Sequence, residues 1–161
     1  MNIKIVLFPT DFSEYNEAAL KLASTLASES KATLYIIHVH DVQGLSAAAG
    51  EFSYLDAPTW QEQLRNAEEQ LGNVVPSIPG LSYERQCLTG NPVVEILKFA
   101  ADHNVDLIVM ASHGRTGLPR LLMGSIAEGV MRKAPCPVLI VKEPAPKHEQ
   151  ANDVVLSSAQ S

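Results

Sequence analysis

The sequence predicts an α/β fold: a single doubly wound, five-stranded parallel sheet in the order 3-2-1-4-5, with helices on both faces. Three observations carry this expectation. Short apolar runs, of the kind that strands covered on both faces need, recur at Ile3–Phe8, Ala32–Val39, Leu107–Ala111 and Pro137–Val141. Segments with apolar residues at helical spacing separate the strands, giving the order βαβαβαβαβ, and parallel neighbours require such crossovers. A chain of 161 residues with 46% apolar and 19% charged residues suits one domain with its own core.

The first strand, Ile3 to Phe8, is interrupted only by Lys4. Pro9-Thr10-Asp11-Phe12-Ser13 follows, with Ser13 the natural N-cap of a helix that carries Tyr15, Ala19, Leu22, Ala23 and Leu26 on one face. The second strand contains His38, read as a strand histidine with a satisfied partner, and ends at His40-Asp41. Residues 42–57 show no clear period. A loop of about fifteen residues is long for a compact domain and suggests a lid or partner surface, although Ala47-Ala48-Ala49 leaves room for a helical turn.

Asp56-Ala57-Pro58 is expected to open the second helix, with Trp60, Leu64, Ala67 and Leu71 as its buried stripe, Trp60 as a packing anchor, and Gly72 past its end. Residues 76–80 form a turn-rich connector, and Tyr83 to Leu88 alternates as a half-exposed edge strand. Gly90-Asn91-Pro92 starts the third helix, which buries Val93, Ile96, Leu97 and Ala100 and stops at a left-handed Asn104. After the fourth strand, Ser125 and Glu128 have the S-x-x-E spacing of a capping box, so a fourth helix begins at Ser125. That helix ends at Arg132-Lys133, cations where its dipole favours them. The fifth strand is apolar on both faces yet lies at an edge, so self-association through residues 137–142 is its simplest cover. The domain is expected to span 1–143, leaving a polar, loosely held tail over 144–161 with Val154-Val155-Leu156 as a docking patch.

Charge and composition narrow the function classes. The net charge of −6, a pI near 5.3 and the lack of a Lys/Arg cluster exclude nucleic acid as the expected partner. No apolar run approaches the length of about eighteen residues that spans a membrane, and the start lacks the layout of a signal peptide. Cys87 and Cys136 are far apart in apolar segments, which reads as buried reduced thiols and a cytoplasmic setting.

The chemistry concentrates between Asp106 and Ser125. Gly114, Arg115, Gly117 and Arg120 separate a strand from a helix N-terminus, and unpaired amides there accept a phosphate. The same pattern also suits a mere turn and cap. It is no P-loop, since no lysine precedes Ser125, and no G-x-G-x-x-G is present. Asp11, at the carboxyl end of the first strand, suits either a turn residue or an acceptor for a ribose hydroxyl or base amine. If strand order reverses between strands one and four, Asp11 and the 111–124 loop face one crevice.

Together, Phe8-Pro9-Thr10-Asp11-Phe12-Ser13, His38-Val39, Gly90-Asn91-Pro92, Ala111-Ser112-His113-Gly114, Gly124-Ser125 and Ala134-Pro135-Cys136-Pro137-Val138 resemble the universal stress protein family over about residues 2–143. The ATP-binding branch of that family carries G-x2-G-x9-G-[ST]. This chain reads Ala111-x2-Gly114-x9-Gly124-Ser125, with alanine for the first glycine. The resemblance implies a stress-response regulatory protein that binds ATP or a related adenine nucleotide, with Mg²⁺ or Mn²⁺ held through the phosphates, and dimerises through the last strand. It implies Asp11 at the ribose, Val39 against adenine, and Pro9 and Met110 lining the base pocket. Gly114, Gly124, Ser125 and the amide of Ile126 would hold phosphates, with Thr10, Ala111, Arg115 and Gly117 in the flanking loops. Two other functions stay open: a slow ATPase, with His113 as candidate base, and a nucleotide-free dimeric interaction protein.

Overall fold

The computed structural model describes residues 2–41, 59–112 and 123–142. In chain order these form β1 (Ile5–Pro9), α1 (Glu17–Ser30), β2 (Thr33–His40), α2 (Trp60–Asn73), β3 (Tyr83–Thr89), α3 (Pro92–Asp102), β4 (Leu107–Ala111), α4 (Ser125–Lys133) and β5 (Val138–Val141). A 3-10 turn over Glu14–Asn16 leads into α1. The strands make one sheet in the order β3-β2-β1-β4-β5, every neighbour parallel, as expected from the sequence.

Strand alternation sorts the core into two layers. Val6 and Phe8 of β1, Leu34 and Ile36 of β2 and Val109 of β4 face α1 and α2, meeting Ala19, Ala23, Ala27 and Leu71. Leu7, Ile37, Ile108 and Met110 face the other way, against Ile96, Phe99 and Ala100 of α3 and Ala127 and Val130 of α4. The alanine stripe at i, i+4, i+8 brings α1 close to the sheet. Gly129 does the same between helices, because a Cβ there would stand 2.9 Å from a methyl of Val93.

Helix starts follow cap chemistry. Asn91 accepts from the Val94 amide with Pro92 at the first turn, as the sequence indicates. The start of α2 differs from expectation: Thr59 and Glu62 form the capping box, so the helix begins at Trp60, and Asp56-Ala57-Pro58 lies outside the described residues. Gly72 lies inside this helix. Trp60 is exposed rather than buried and rests on the His40 ring, 4.5 Å between centroids. Asn104 is left-handed as expected, and Lys31 and Phe12 adopt positive φ as well. Gly90, at φ 146°, occupies backbone space that glycine alone enters readily.

Both cysteines are free, and half-buried rather than fully buried. Desolvation pushes both thiols above their ordinary range, reinforced by Glu68 near Cys87 and Asp106 near Cys136. Among the described residues, no helix is long and apolar enough to cross a membrane. The 42–57 loop and the tail beyond Glu143 lie outside the described residues.

One polar clamp joins the central strands at their amino ends. The Asp106 carboxylate accepts from the amides of Lys4 and Ile5, at 2.7 and 3.0 Å, while the Asp106 amide donates to Ile5 O. A residue about a hundred positions away thus satisfies the start of β1. Asp106→Ala is expected to lower stability in urea unfolding by about 2 kcal/mol, since it strips two amides of their acceptor.

Candidate functional site

The chain runs from β1 to β2 and β3 on one side of the sheet, then from β4 to β5 on the other, so strand order reverses between β1 and β4. Crevices at such reversals open beyond the carboxyl ends of the strands. Here the seam also parts. The β1–β4 ladder holds Val6↔Leu107 and Leu7↔Ile108, whereas the β1–β2 ladder continues to Pro9↔Ile37 and the β4–β5 ladder to Ala111↔Val141. Ile5 O takes the Asp106 amide and Thr10 N reaches Ile37 O, so by alternation the Pro9 nitrogen faces β4. Proline has no N–H to give, and the β1–β4 ladder stops below it.

Around this parting the structure gathers the expected residues into two groups. Pro9, Val39 and Met110 stand at the carboxyl ends of three adjacent strands and alternate onto one face, the one that α3 and α4 cover. Thr10 is buried just beyond β1, and Ala111 turns to the opposite layer, within the α1 cluster. They flank the seam without sharing the face of the other three.

The N-terminus of α4 comes to the same edge. Ser112, buried directly after β4, donates its amide to Val141 O and accepts the Gly124 amide at 2.7 Å. That bond pins the helix start beside the end of β4. Ser125 does not cap α4, contrary to expectation. Gly124 is the N-cap, at φ −71° and ψ 153°, and among the described residues no side chain caps the helix. Glu128 reaches forward to Arg132 at 2.7 Å instead of back to the N-cap. The first-turn amides of Ser125, Ile126 and Ala127 have no carbonyl a turn earlier in the helix to pair with. Gly114, Arg115, Gly117, Arg120 and His113 lie outside the described residues.

Asp11 heads a dense polar turn. Its Oδ1 accepts from the Ser13 amide at 3.0 Å, the Ser13 hydroxyl at 2.7 Å and Asn16 Nδ2 at 2.5 Å. Ser13 therefore spends its hydroxyl on Asp11 and makes no side-chain cap bond to the 3-10 turn that it precedes. The Thr10 hydroxyl accepts from the Phe12 amide. His38 is buried, as expected of a satisfied strand histidine, and its partner is the Thr10 carbonyl, 2.8 Å from Nδ1. Asn16 and Phe12 were not evident from the sequence as site residues. The only hint was an Asp followed at two and five positions by polar side chains.

Among the described residues, no cluster of three His, Cys, Asp or Glu side chains could hold a metal ion. An open cleft of about 440 Å³ lies on the α1/α2 face, lined by Phe8, Thr10, Phe12, Glu17, Asn73 and Val74 among others. It is on the layer opposite Pro9, Val39 and Met110.

Comparison with known proteins adds a family, relatives and solved structures. The family model described as "Universal stress protein family" matches residues 2–142. A universal stress protein of Methanocaldococcus jannaschii is 37% identical over 142 residues, covering 88% of this chain and 83% of the relative. A second from that organism is 33% identical over 154 residues, covering 86% and 94%. The solved structure of this second protein superposes with a TM-score of 0.74 at 31% identity, covering 91% of this chain and 100% of that one. A universal stress protein from Archaeoglobus fulgidus, solved in complex with dAMP, shares the fold, with a TM-score of 0.65, 24% identity and coverage of 88% and 100%.

Because Oδ1 of Asp11 organises the turn into α1, Asp11→Ala is expected to cost about 1–2 kcal/mol in urea unfolding, whereas Asp11→Asn, which keeps an acceptor at Oδ1, is expected to cost less.

Proposed function

Since this chain belongs to the universal stress protein family, we propose that it binds ATP or a related adenine nucleotide in the crevice between β1 and β4 and acts as a homodimeric, nucleotide-dependent regulatory module. The observation that carries this reading is the meeting of an apolar trio, Pro9, Val39 and Met110, with the uncapped α4 N-terminus on one face and one edge of the sheet. The trio offers an apolar bed for a purine. The amides of Ser125 and Ile126, with the helix dipole behind them, suit a phosphate. Asp11, one residue past the buried Thr10, is assigned the ribose hydroxyls. Gly114, Arg115 and Gly117, between the pinned ends Ser112 and Gly124, are assigned to the phosphate side.

This donor set fits an anionic nucleotide and offers no protein cage for a metal among the described residues. Mg²⁺ or Mn²⁺ would therefore arrive on the phosphates, with water completing its shell. Backbone amides act locally, so the net charge of −6 does not oppose a small anion here. Residues 1–143 are assigned to the nucleotide-binding unit and 144–161 to an accessory tail. A cytoplasmic setting fits two free thiols.

Dimerisation is assigned to β5. Among the described residues it pairs only with β4, and Leu139 on it is exposed. A short apolar edge strand invites a second copy.

Two experiments test these assignments. Mass spectrometry of the purified protein is expected to find a carried-over adenine nucleotide. Gly124→Val keeps a φ that valine adopts freely but sets a branched side chain over the α4 amides, so ATP affinity is expected to fall about a hundredfold with the fold intact. Undiminished affinity would reject the phosphate assignment. For the dimer, sedimentation is expected to show two copies at micromolar concentration, and Leu139→Glu is expected to yield monomers. A wild-type monomer would reject β5 pairing.

A further inference from the structure

Phe12 holds an unusual backbone. Its φ is 64°, in the left-handed region where a bulky aromatic residue is an outlier, and it sits directly after Asp11. Such a conformation persists only where the surroundings over-determine it. Two contacts from the middle of the sheet do so. The His38 imidazole stacks on the Phe12 ring with centroids 4.2 Å apart and planes 28° apart. The same ring places Nδ1 2.8 Å from the Thr10 carbonyl. A carbonyl only accepts, so Nδ1 carries the proton. One buried side chain on β2 thus grips the residues on both sides of Asp11.

We propose that His38 and Phe12 are positioning residues for the Asp11 carboxylate, fixing it in the orientation that a ribose diol requires. The proposal rests on the nucleotide site described above and extends it to two residues outside the set assigned to the nucleotide. The internal bonds of the turn, from Ser13 and Asn16 to Oδ1, set the carboxylate relative to the loop. His38 and Phe12 set the loop relative to the sheet. A ribose bound over the seam needs both, because the base bed is built from the strands and the carboxylate belongs to the loop.

The test compares ATP with 2′,3′-dideoxy-ATP, which keeps base and phosphates but offers Asp11 no hydroxyl. His38→Leu removes both the donor and the stack. His38→Asn keeps an N–H donor near the position of Nδ1. Phe12→Gly retains the left-handed backbone without the ring. Calorimetric titration is expected to show ATP affinity about tenfold weaker in His38→Leu, partly restored in His38→Asn, and about threefold weaker in Phe12→Gly. Dideoxy-ATP is expected to bind all four proteins within about twofold, with circular dichroism confirming the fold of each. Equal losses for both nucleotides would show a structural role only and overturn the proposal, as would unchanged ATP affinity in both His38→Leu and Phe12→Gly. If His38→Leu does not fold, the outcome for Phe12→Gly and His38→Asn decides by the same comparison. Wild-type protein that binds neither nucleotide would remove the nucleotide site itself, a failure separate from these.

Discussion

The structure turns on an amide that is not there. In a parallel ladder alternate residues address alternate neighbours, and Ile5, Leu7 and Pro9 are the ones that address β4. The first two can pair; the third cannot, because its nitrogen is closed into a ring. Above Leu7, β1 stays with β2 and β4 stays with β5. The seam between the two halves of the sheet is therefore closed along its lower part and open at the carboxyl edge. Strand-order reversal alone would place a crevice there, since neither crossover covers it. The missing bond ends the β1–β4 ladder there, so main-chain groups as well as side chains border the carboxyl edge.

A parted seam costs hydrogen bonds in the centre of the molecule, and the surrounding residues offset that cost in different ways at the two ends. At the amino end the Asp106 carboxylate, just before β4, ties down the amides of Lys4 and Ile5 at the start of β1. At the carboxyl end the polar groups are satisfied by the loops and the neighbouring strands: Thr10 by Phe12 and His38, Asp11 by Ser13 and Asn16, and Ser112 by Val141 and Gly124. The two apolar layers hold the sheet from both faces with fully buried Val6, Leu7, Phe8, Ile36, Ile37 and Ile108. Buried apolar area supplies the stability, and local polar networks keep the opening defined. This division explains how strained backbone at Phe12 is tolerated next to the candidate site.

Much of this was legible in the sequence, and the exceptions share a cause. Periodicity identified the strands and the stripes of the helices because burial imposes it directly. The parallel arrangement followed from the alternation of strands with helical crossovers. The gathering of Pro9, Val39 and Met110 on one face follows from alternation once the register is known. What escaped was decided by competition among local signals. Thr59-x-x-Glu62 is a capping box as good as its rival, yet Asp56 and Pro58 stood in front of it. Trp60 falls on the apolar stripe of α2 but at its first turn, where the helix has not yet settled on the sheet, and so it meets His40 and solvent. The left-handed Phe12 contradicts residue preference outright. Only its tertiary partner His38 accounts for it, and no local pattern encodes a contact across two strands. The Asp106 clamp joins residues about a hundred positions apart and is invisible for the same reason. Gly114, Arg115 and Gly117, named from the sequence alone, rest on that reading.

The capping box that failed is the most informative of these departures. Ser125 and Glu128 have the correct spacing, and forming the box would lay a carboxylate across the first-turn amides of α4. The structure shifts the cap one residue back, to Gly124, which has no side chain to offer and whose amide is already held by Ser112. Glu128 then falls at N4 rather than N3, beyond reach of the N-cap amide, and Arg132 one turn along takes its charge. An exposed i, i+4 pair of this kind contributes a few tenths of a kcal/mol, less than the roughly 1 kcal/mol of a good cap. Among the described residues, the helix thus forgoes the cap that its own sequence offers. The difference is consistent with an N-terminus kept open to an anion from outside the chain, whose binding would make up what the missing cap forgoes.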